Sequence, residues 1–207
     1  NILPALTRIR PLVGLDVVDL GTGTGRLACM VAPQVRSLAA FDLSAHMLGV
    51  ATARLRESRL SRWLTAVADH RALPLVDGAA DLLLSGWSIV YTVVWYPQSW
   101  RKELGQALGE MERVLRPGGT LIILETLGTG HESPSPPENM VAYLAYLEEV
   151  GFSSTWIRTD YEFNSWDEAR ALTEFFFGAE MITRCTGDGD GRVVLPECTG
   201  IWWRHKD

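Results

Sequence analysis

The segment Asp19–Gly25 (DLGTGTG) constrains the fold more than any other part of the chain. It follows an apolar, β-branched run, Leu15–Leu20, and it precedes a helical pattern that begins at Arg26. Glycines let the backbone reverse tightly and approach a ligand closely, because they carry no Cβ. The free amides at the start of the helix can bind an anionic group. A strand, a glycine-rich turn and a helix in this order predict a ligand site at the carboxyl end of the first strand.

Short apolar runs alternate with longer amphipathic stretches along the rest of the chain. This alternation is typical of a parallel sheet covered by helices. After the first strand, the runs predicted to form strands are Leu38–Leu43, Leu64–Ala68, Ala80–Ser85, Thr120–Glu125, Ser154–Phe163 and Thr199–Trp203. The predicted helices are Arg26–Gln34, Ala45–Arg59, Ser99–Leu115, Glu138–Val150 and Asp167–Phe177.

The length of 207 residues, with 47% hydrophobic and 21% charged residues, suits one globular domain. We predict a single domain over 1–207, in which 1–127 forms a cofactor-binding core and 128–207 completes the sheet. The segment Gly187–Gly191 is interpreted as a tight turn, because it lacks the full acidic spacing and the closing Glu of a calcium loop.

Charge and cysteine content argue against several classes of protein. The net charge of -6 argues against a dedicated nucleic-acid binder, and we interpret the basic strip of Arg54, Arg56, Arg59 and Arg62 as a solvated helix face. Three scattered cysteines without a Cys-x-x-Cys pair or suitably spaced histidines argue against a metal site. Unpaired thiols are typical of a reducing compartment, and we find neither a signal peptide nor an apolar run that could span a membrane. We therefore expect a cytoplasmic protein without a membrane partner.

Asp42 stands at the end of the second predicted strand, about twenty residues past the turn, where a carboxylate can accept hydrogen bonds from both hydroxyls of a ribose. The alternative is that Asp42 or Ser44 caps the following helix. A nicotinamide fingerprint would need glycine where Arg26 stands, and the charge of Asp19 would oppose a pyrophosphate. These features favour a ligand with an α-amino group and a sulfonium over a dinucleotide.

Four ordered motifs resemble those of a known family. They are Val17–Gly25, Phe41–Ser44 with Met47 and Leu48, Ala68–His70 leading through Leu73–Leu75 to Asp81–Ser85, and Glu112–Leu121. The set is similar to class I S-adenosylmethionine-dependent methyltransferases, in the branch of the ubiquinone/menaquinone-biosynthesis methyltransferases. The resemblance covers about half of the chain. It implies a Rossmann-like α/β fold with helices on both faces of a seven-stranded sheet, which is mostly parallel with an antiparallel last strand. S-adenosyl-L-methionine is the implied cofactor.

The resemblance also implies the cofactor-binding residues. By this resemblance, the glycine turn lines the methionine part of S-adenosylmethionine, and Asp42 holds its ribose hydroxyls. Apolar neighbours of Asp42 lie against the adenine ring. Asp69 accepts a hydrogen bond from the adenine amino group, beside the backbone of His70. Asp19 either supports the turn or faces the amino group, and the residues after the fourth strand lie near the reacting sulfur. The full set is Asp19, Gly21, Thr22, Gly23, Gly25, Asp42, Leu43, Met47, Asp69, His70, Ser85 and Trp87.

Methyl transfer from a sulfonium is an in-line displacement, so the protein must mainly align donor and acceptor. A general base is needed only when the acceptor must lose a proton. The sequence does not single out one catalytic residue among the candidates, which are His46, His70, His131, Tyr91 and Glu125.

An aromatic run follows the fourth predicted strand and consists of Trp87, Tyr91, Trp95, Tyr96 and Trp100. It either walls an acceptor pocket or cages a sulfonium by cation–π contact, or it forms a helix stripe packed on the core. We predict an enzyme that methylates a small molecule with S-adenosylmethionine. The alternatives are a non-catalytic module that binds this cofactor and a nicotinamide-dependent oxidoreductase.

Overall fold

A central sheet of seven strands and a small sheet of three strands organise the chain in the computed structural model, which describes residues 1–187 and 191–207. The described strands are β1 Asp16–Leu20, β2 Ser37–Asp42, β3 Trp63–Val67, β4 Ala80–Gly86, β5 Leu115–Thr129, β6 Ser153–Arg158, β7 Tyr161–Phe163, β8 Thr186–Gly187, β9 Val193–Leu195 and β10 Glu197–His205. The described α-helices are α1 Ile2–Ile9, α2 Arg26–Val31, α3 Ala45–Arg56, α4 Tyr91–Trp95, α5 Trp100–Val114, α6 Glu138–Glu149 and α7 Trp166–Phe177.

The central sheet has the strand order β3-β2-β1-β4-β5-β10-β6. The first five strands in this order pair in parallel, and β10 runs antiparallel to both of its neighbours. The fold implied by the resemblance, a mostly parallel sheet with an antiparallel last strand, is therefore confirmed.

Side chains on alternate positions of the central strands pack into two hydrophobic clusters, one on each face of the sheet. In β5, Leu121 and Ile123 belong to the cluster that α5 and α6 cover, whereas Ile122 and Leu124 belong to the cluster that α1, α2 and α3 cover. Because successive side chains of a strand point to opposite faces, a strand covered by helices on both sides must be apolar throughout. No helix in the described ranges is long and apolar enough to cross a membrane.

The prediction of one strand over Ser154–Phe163 was wrong, because this stretch forms β6 in the central sheet and β7 in the small sheet, whose order is β7-β9-β8. The chain leaves the central sheet at Asp160. The carboxylate of Asp160 accepts hydrogen bonds from Arg158 at 2.7 Å and from the backbone N–H of Glu197 at 3.0 Å. Within the turn predicted after Gly187, residues 188–190 lie outside the described ranges.

Parallel pairing places the carboxyl ends of β1, β2 and β4 at one edge of the sheet. The register aligns Leu20 with Phe41 and with Ser85. The glycine turn, Asp42 and the loop after β4 therefore meet at this edge, where parallel-sheet proteins bind ligands.

Candidate functional site

The glycine turn between β1 and α2 has a backbone that other residues could not adopt without strain. Gly21 and Gly23 have φ angles of 64° and 54°. A Cβ at Gly21 would lie 1.6 Å from Oγ of Ser88, so Gly21 allows the loop after β4 to approach the turn. A Cβ at Gly23 would meet no atom within 4 Å, which shows that this part of the turn borders open space. Glycine at these two positions keeps the turn tight and leaves room beside it.

Asp19 is buried behind the turn and holds it together. Its Oδ2 accepts hydrogen bonds from Oγ1 of Thr22 at 2.6 Å and from the backbone N–H of Ala28 at 3.1 Å. Burial raises the pKa of Asp19 to about 6, although both hydrogen bonds act to lower it. Of the two roles considered for Asp19, this geometry favours support of the turn.

The carboxylate of Asp42 joins the two loops that follow β1 and β2. Its Oδ2 accepts a hydrogen bond from the N–H of Gly23 at 2.8 Å, and its Oδ1 accepts one from the N–H of Ser44 at 2.8 Å. Ser44 is the N-cap of α3, since its side chain accepts from the N–H of Met47 at 3.3 Å. A carboxylate has about four acceptor sites, so Asp42 can accept further hydrogen bonds from a ligand.

A cavity of about 510 Å³ opens at this edge of the sheet. Its size lies within the range of about 300–1,000 Å³ that is usual for small-molecule sites. Eight of the predicted site residues line the cavity: Gly21, Gly23, Asp42, Leu43, Met47, Asp69, His70 and Trp87. The other four lie outside its lining: Asp19, Thr22, Gly25 and Ser85.

The short helix α4 forms an aromatic side of the cavity. Tyr91 and Trp95 stack with ring centroids 5.3 Å apart, and they remain 48% and 57% exposed. Of the two interpretations of the aromatic run, this exposure favours the cavity wall over the core stripe for Tyr91 and Trp95, because α4 is a single turn at the carboxyl edge of the sheet. Trp100, by contrast, packs edge-on against Tyr146 of α6 with centroids 5.5 Å apart.

Trp87 lies between the end of β4 and α4. Among the described residues it is the only non-glycine residue with a positive φ, 50°. The guanidinium of Arg26 lies over its ring, 4.5 Å from the ring centroid. Backbone strain of this kind persists where surrounding contacts impose it, and it is common at functional sites.

Arg71 connects Asp69 and Tyr96 of the cavity wall to Glu103 of α5, and no sequence motif pointed to it. Its guanidinium bonds both carboxylate oxygens of Asp69 and reaches Oε2 of Glu103 in α5 at 2.6 Å. It also lies 5.0 Å from the ring centroid of Tyr96. The hydrogen bonds from Arg71 lower the pKa of Asp69. Asp69 is thus held ionised and in a fixed orientation at the cavity.

The candidate general bases differ in whether they line the cavity. His70 and Tyr91 line the cavity, whereas His46 and His131 lie outside its lining. Burial lowers the pKa of His70, and its Nε2 lies 3.2 Å from Oγ of Ser88, a cavity residue that the sequence did not single out. Glu125 is buried and accepts hydrogen bonds from Tyr143 at 2.9 Å and from the N–H of Val90 at 3.3 Å. Burial raises the pKa of Glu125 to about 8.

The family model described as a methyltransferase domain matches residues 18–123, which is just over half of the chain. The chain belongs to this methyltransferase domain family. S-adenosylmethionine is the cofactor that the family implies, as the sequence motifs also indicated.

Several proteins that are similar in sequence to this chain are named as methyltransferases. The chain is 34% identical over 139 residues to a demethylmenaquinone methyltransferase of Thermus thermophilus, covering 65% of this chain and 55% of the relative. It is 35% identical over 117 residues to a malonyl-[acyl-carrier protein] O-methyltransferase of Pectobacterium atrosepticum, covering 56% and 40%. A solved structure of a SAM-dependent methyltransferase from Aquifex aeolicus has a TM-score of 0.57 at 18% identity, with 97% of this chain and 87% of that chain covered. The chain spans about half the length of the curated relatives it matches.

The cavity fits an adenosyl amino acid. A Cβ at Gly23 would project into the open space beside the turn, so glycine leaves this space free. Asp42 can accept hydrogen bonds from a vicinal diol, and Leu43 and Met47 expose apolar surface in the same cavity. A flat, apolar ring flanked by a diol and a charged amino acid needs this combination of surfaces.

Proposed function

We propose that this protein transfers a methyl group from S-adenosylmethionine to a small molecule bound against the aromatic residues of α4. The observation that carries the proposal is that the glycine turn, Asp42 and the exposed pair of Tyr91 and Trp95 line the same cavity. One side of the cavity thus suits the cofactor, and the adjoining side suits an apolar or planar acceptor. S-adenosylmethionine supplies a methyl group already activated on a positively charged sulfur.

The cofactor-binding residues divide into two groups. Residues in the cavity lining would contact the cofactor: Gly21 and Gly23 would border its methionine part, Asp42 would accept from the ribose hydroxyls, Leu43 and Met47 would cover the adenine, and Asp69 would accept from the adenine amino group beside the backbone of His70. Asp19, Thr22, Gly25 and Ser85 lie outside the lining, and the hydrogen bonds of Asp19 hold the turn in place.

The aromatic residues exclude water and orient the acceptor. Holding donor and acceptor in line can supply on the order of 7–11 kcal/mol of the barrier. Loss of the sulfonium charge during transfer favours a drier site, which apolar walls at Trp87, Tyr91 and Trp95 provide.

Isothermal calorimetry with S-adenosylhomocysteine tests the cofactor site. We expect binding to the wild-type protein, strong weakening in Asp42→Ala, and no change in Asp77→Ala, whose carboxylate is on the surface. Absence of binding to the wild-type protein would refute the proposal. Incubation with methyl-labelled cofactor and a metabolite extract then tests catalysis, since a non-catalytic binding module would never release S-adenosylhomocysteine.

We further propose that the protein works in the cytoplasm. The three cysteines, Cys29, Cys185 and Cys198, are all free thiols, as is usual in a reducing compartment. Localisation of the tagged chain by cell fractionation tests this proposal, and recovery in an oxidising compartment would contradict it.

A further inference from the structure

Two polar side chains of the cavity lining, those of Ser88 and His70, meet where the turn after β1 and the loop after β4 touch. Oγ of Ser88 lies 3.2 Å from Nε2 of His70. A Cβ added at Gly21 would lie 1.6 Å from this oxygen and 3.3 Å from this nitrogen. Both side chains line the cavity, and so does Tyr91, one turn further along the same segment. The pair therefore lies where the cofactor side and the aromatic side of the cavity adjoin.

We propose that Ser88 and His70 form a proton relay and that the methyl acceptor attacks through an ionisable hydroxyl on an aromatic ring. This inference rests on the proposed function. Ser88 and His70 are then catalytic residues, because they receive the proton that the acceptor must release. The stacked rings of Tyr91 and Trp95 favour a planar acceptor, which presents its hydroxyl to Ser88.

The proposed methyl transfer conserves atoms and charge. The acceptor oxygen forms a bond to the methyl carbon, while the S–CH₃ bond breaks and its electron pair remains on sulfur. The acceptor proton passes to Oγ of Ser88, and the proton of Ser88 passes to Nε2 of His70. The positive charge that leaves the sulfur therefore appears on the imidazole, so no other co-reactant is needed.

The surroundings keep the imidazole neutral and able to accept a proton. Burial lowers the pKa of His70, and the nearby Arg71 acts in the same direction. Asp69 and Asp42 act in the opposite direction and stabilise the imidazolium once it forms. A neutral base facing two carboxylates is suited to taking a proton during the reaction.

Histidine NMR tests the geometry without relying on activity. The chain has four histidines, so His70→Asn identifies the resonances of His70. With S-adenosylhomocysteine bound, addition of 2-naphthol should shift the ring signals of His70 and leave those of His205, at the opposite edge of the sheet, unchanged. Unshifted His70 signals would overturn the relay.

Two probes with the same ring system test the chemistry. The hydroxyl of 2-naphthol must lose a proton, whereas 2-naphthoate is already ionised. We expect methylation of 2-naphthol to fall about a hundredfold or more in His70→Asn and in Ser88→Ala, with the double variant no slower than either alone, and no loss in His205→Asn. The binding of S-adenosylhomocysteine should be unchanged in all of them.

Three results would overturn the relay: no methylation of 2-naphthol by the wild-type protein, equal loss with both probes, or weakened binding of S-adenosylhomocysteine in His70→Asn and Ser88→Ala. The last result would make the two residues cofactor contacts. None of these results affects the proposed function as long as the wild-type protein binds S-adenosylhomocysteine and releases it when incubated with methyl-labelled cofactor and a metabolite extract. Failure of the relay and failure of the proposed function are therefore distinguishable.

Discussion

Replacing Glu125 by Gln should remove a large pH dependence from the stability of this protein. Burial raises the pKa of Glu125 from 4.5 to about 8, and Oε2 has no hydrogen-bond partner among the described residues. The folded protein thus binds this proton more tightly than the unfolded chain, and the free energy of unfolding falls as pH rises from 4.5 to about 8. A shift of this size corresponds to about 5 kcal/mol in total, of which about 3 kcal/mol is already lost at pH 7.

Gln keeps the acceptor that Tyr143 and the N–H of Val90 use, but it cannot ionise. Urea denaturation followed by circular dichroism at several pH values between 5 and 9 measures the effect. The difference in unfolding free energy between Glu125→Gln and wild type should grow in favour of the variant by about 2.5 kcal/mol between pH 5 and pH 7. Comparing the two proteins cancels the contribution of other carboxylates. Glu149→Gln, on the exposed side of α6, should follow the wild type. If the unfolding free energies of Glu125→Gln and wild type changed with pH in parallel, Glu125 would not bind its proton more tightly in the folded protein.

Three other changes test the turn and the site. Asp42→Ala should weaken binding of S-adenosylhomocysteine by about 1.5–3 kcal/mol in calorimetry, because hydrogen bonds to a charged acceptor are lost; unchanged affinity would exclude Asp42 from the site. Gly21→Ala should destabilise the fold and abolish cofactor binding, because the added Cβ meets Ser88 at a positive φ. Gly105→Ala, in α5 with open space around its Cβ position, should raise the unfolding free energy by about 0.5–1 kcal/mol and serves as the matched control in denaturation curves. A Gly21→Ala protein as stable as wild type would contradict the turn geometry.

Eight of the twelve cofactor-binding residues predicted from the sequence meet in the lining of one cavity, whereas the aromatic side of this cavity was not predictable. The residues around Gly21 and Asp42 follow directly after strands, so local patterns place them at one edge of the sheet. Tyr91 and Trp95 have helical spacing, which fits both a core stripe and a cavity wall. Only the placement of α4 above the strand edge shows that their rings stay exposed. Arg71 and Ser88 carry no sequence signal, because the contacts of Arg71 with Glu103 and of Ser88 with His70 join residues that are distant in the chain.

Local sequence patterns are enough to specify the parallel sheet, the order of its motifs and the positions of the glycine turn and Asp42, because strand periodicity and turn chemistry act over a few neighbouring residues. Tertiary structure decided the protonation of Glu125, the break between β6 and β7, and the meeting of His70 with Ser88. Burial, strand pairing and side-chain contact depend on segments far apart in the chain. They therefore become defined only when the whole domain packs.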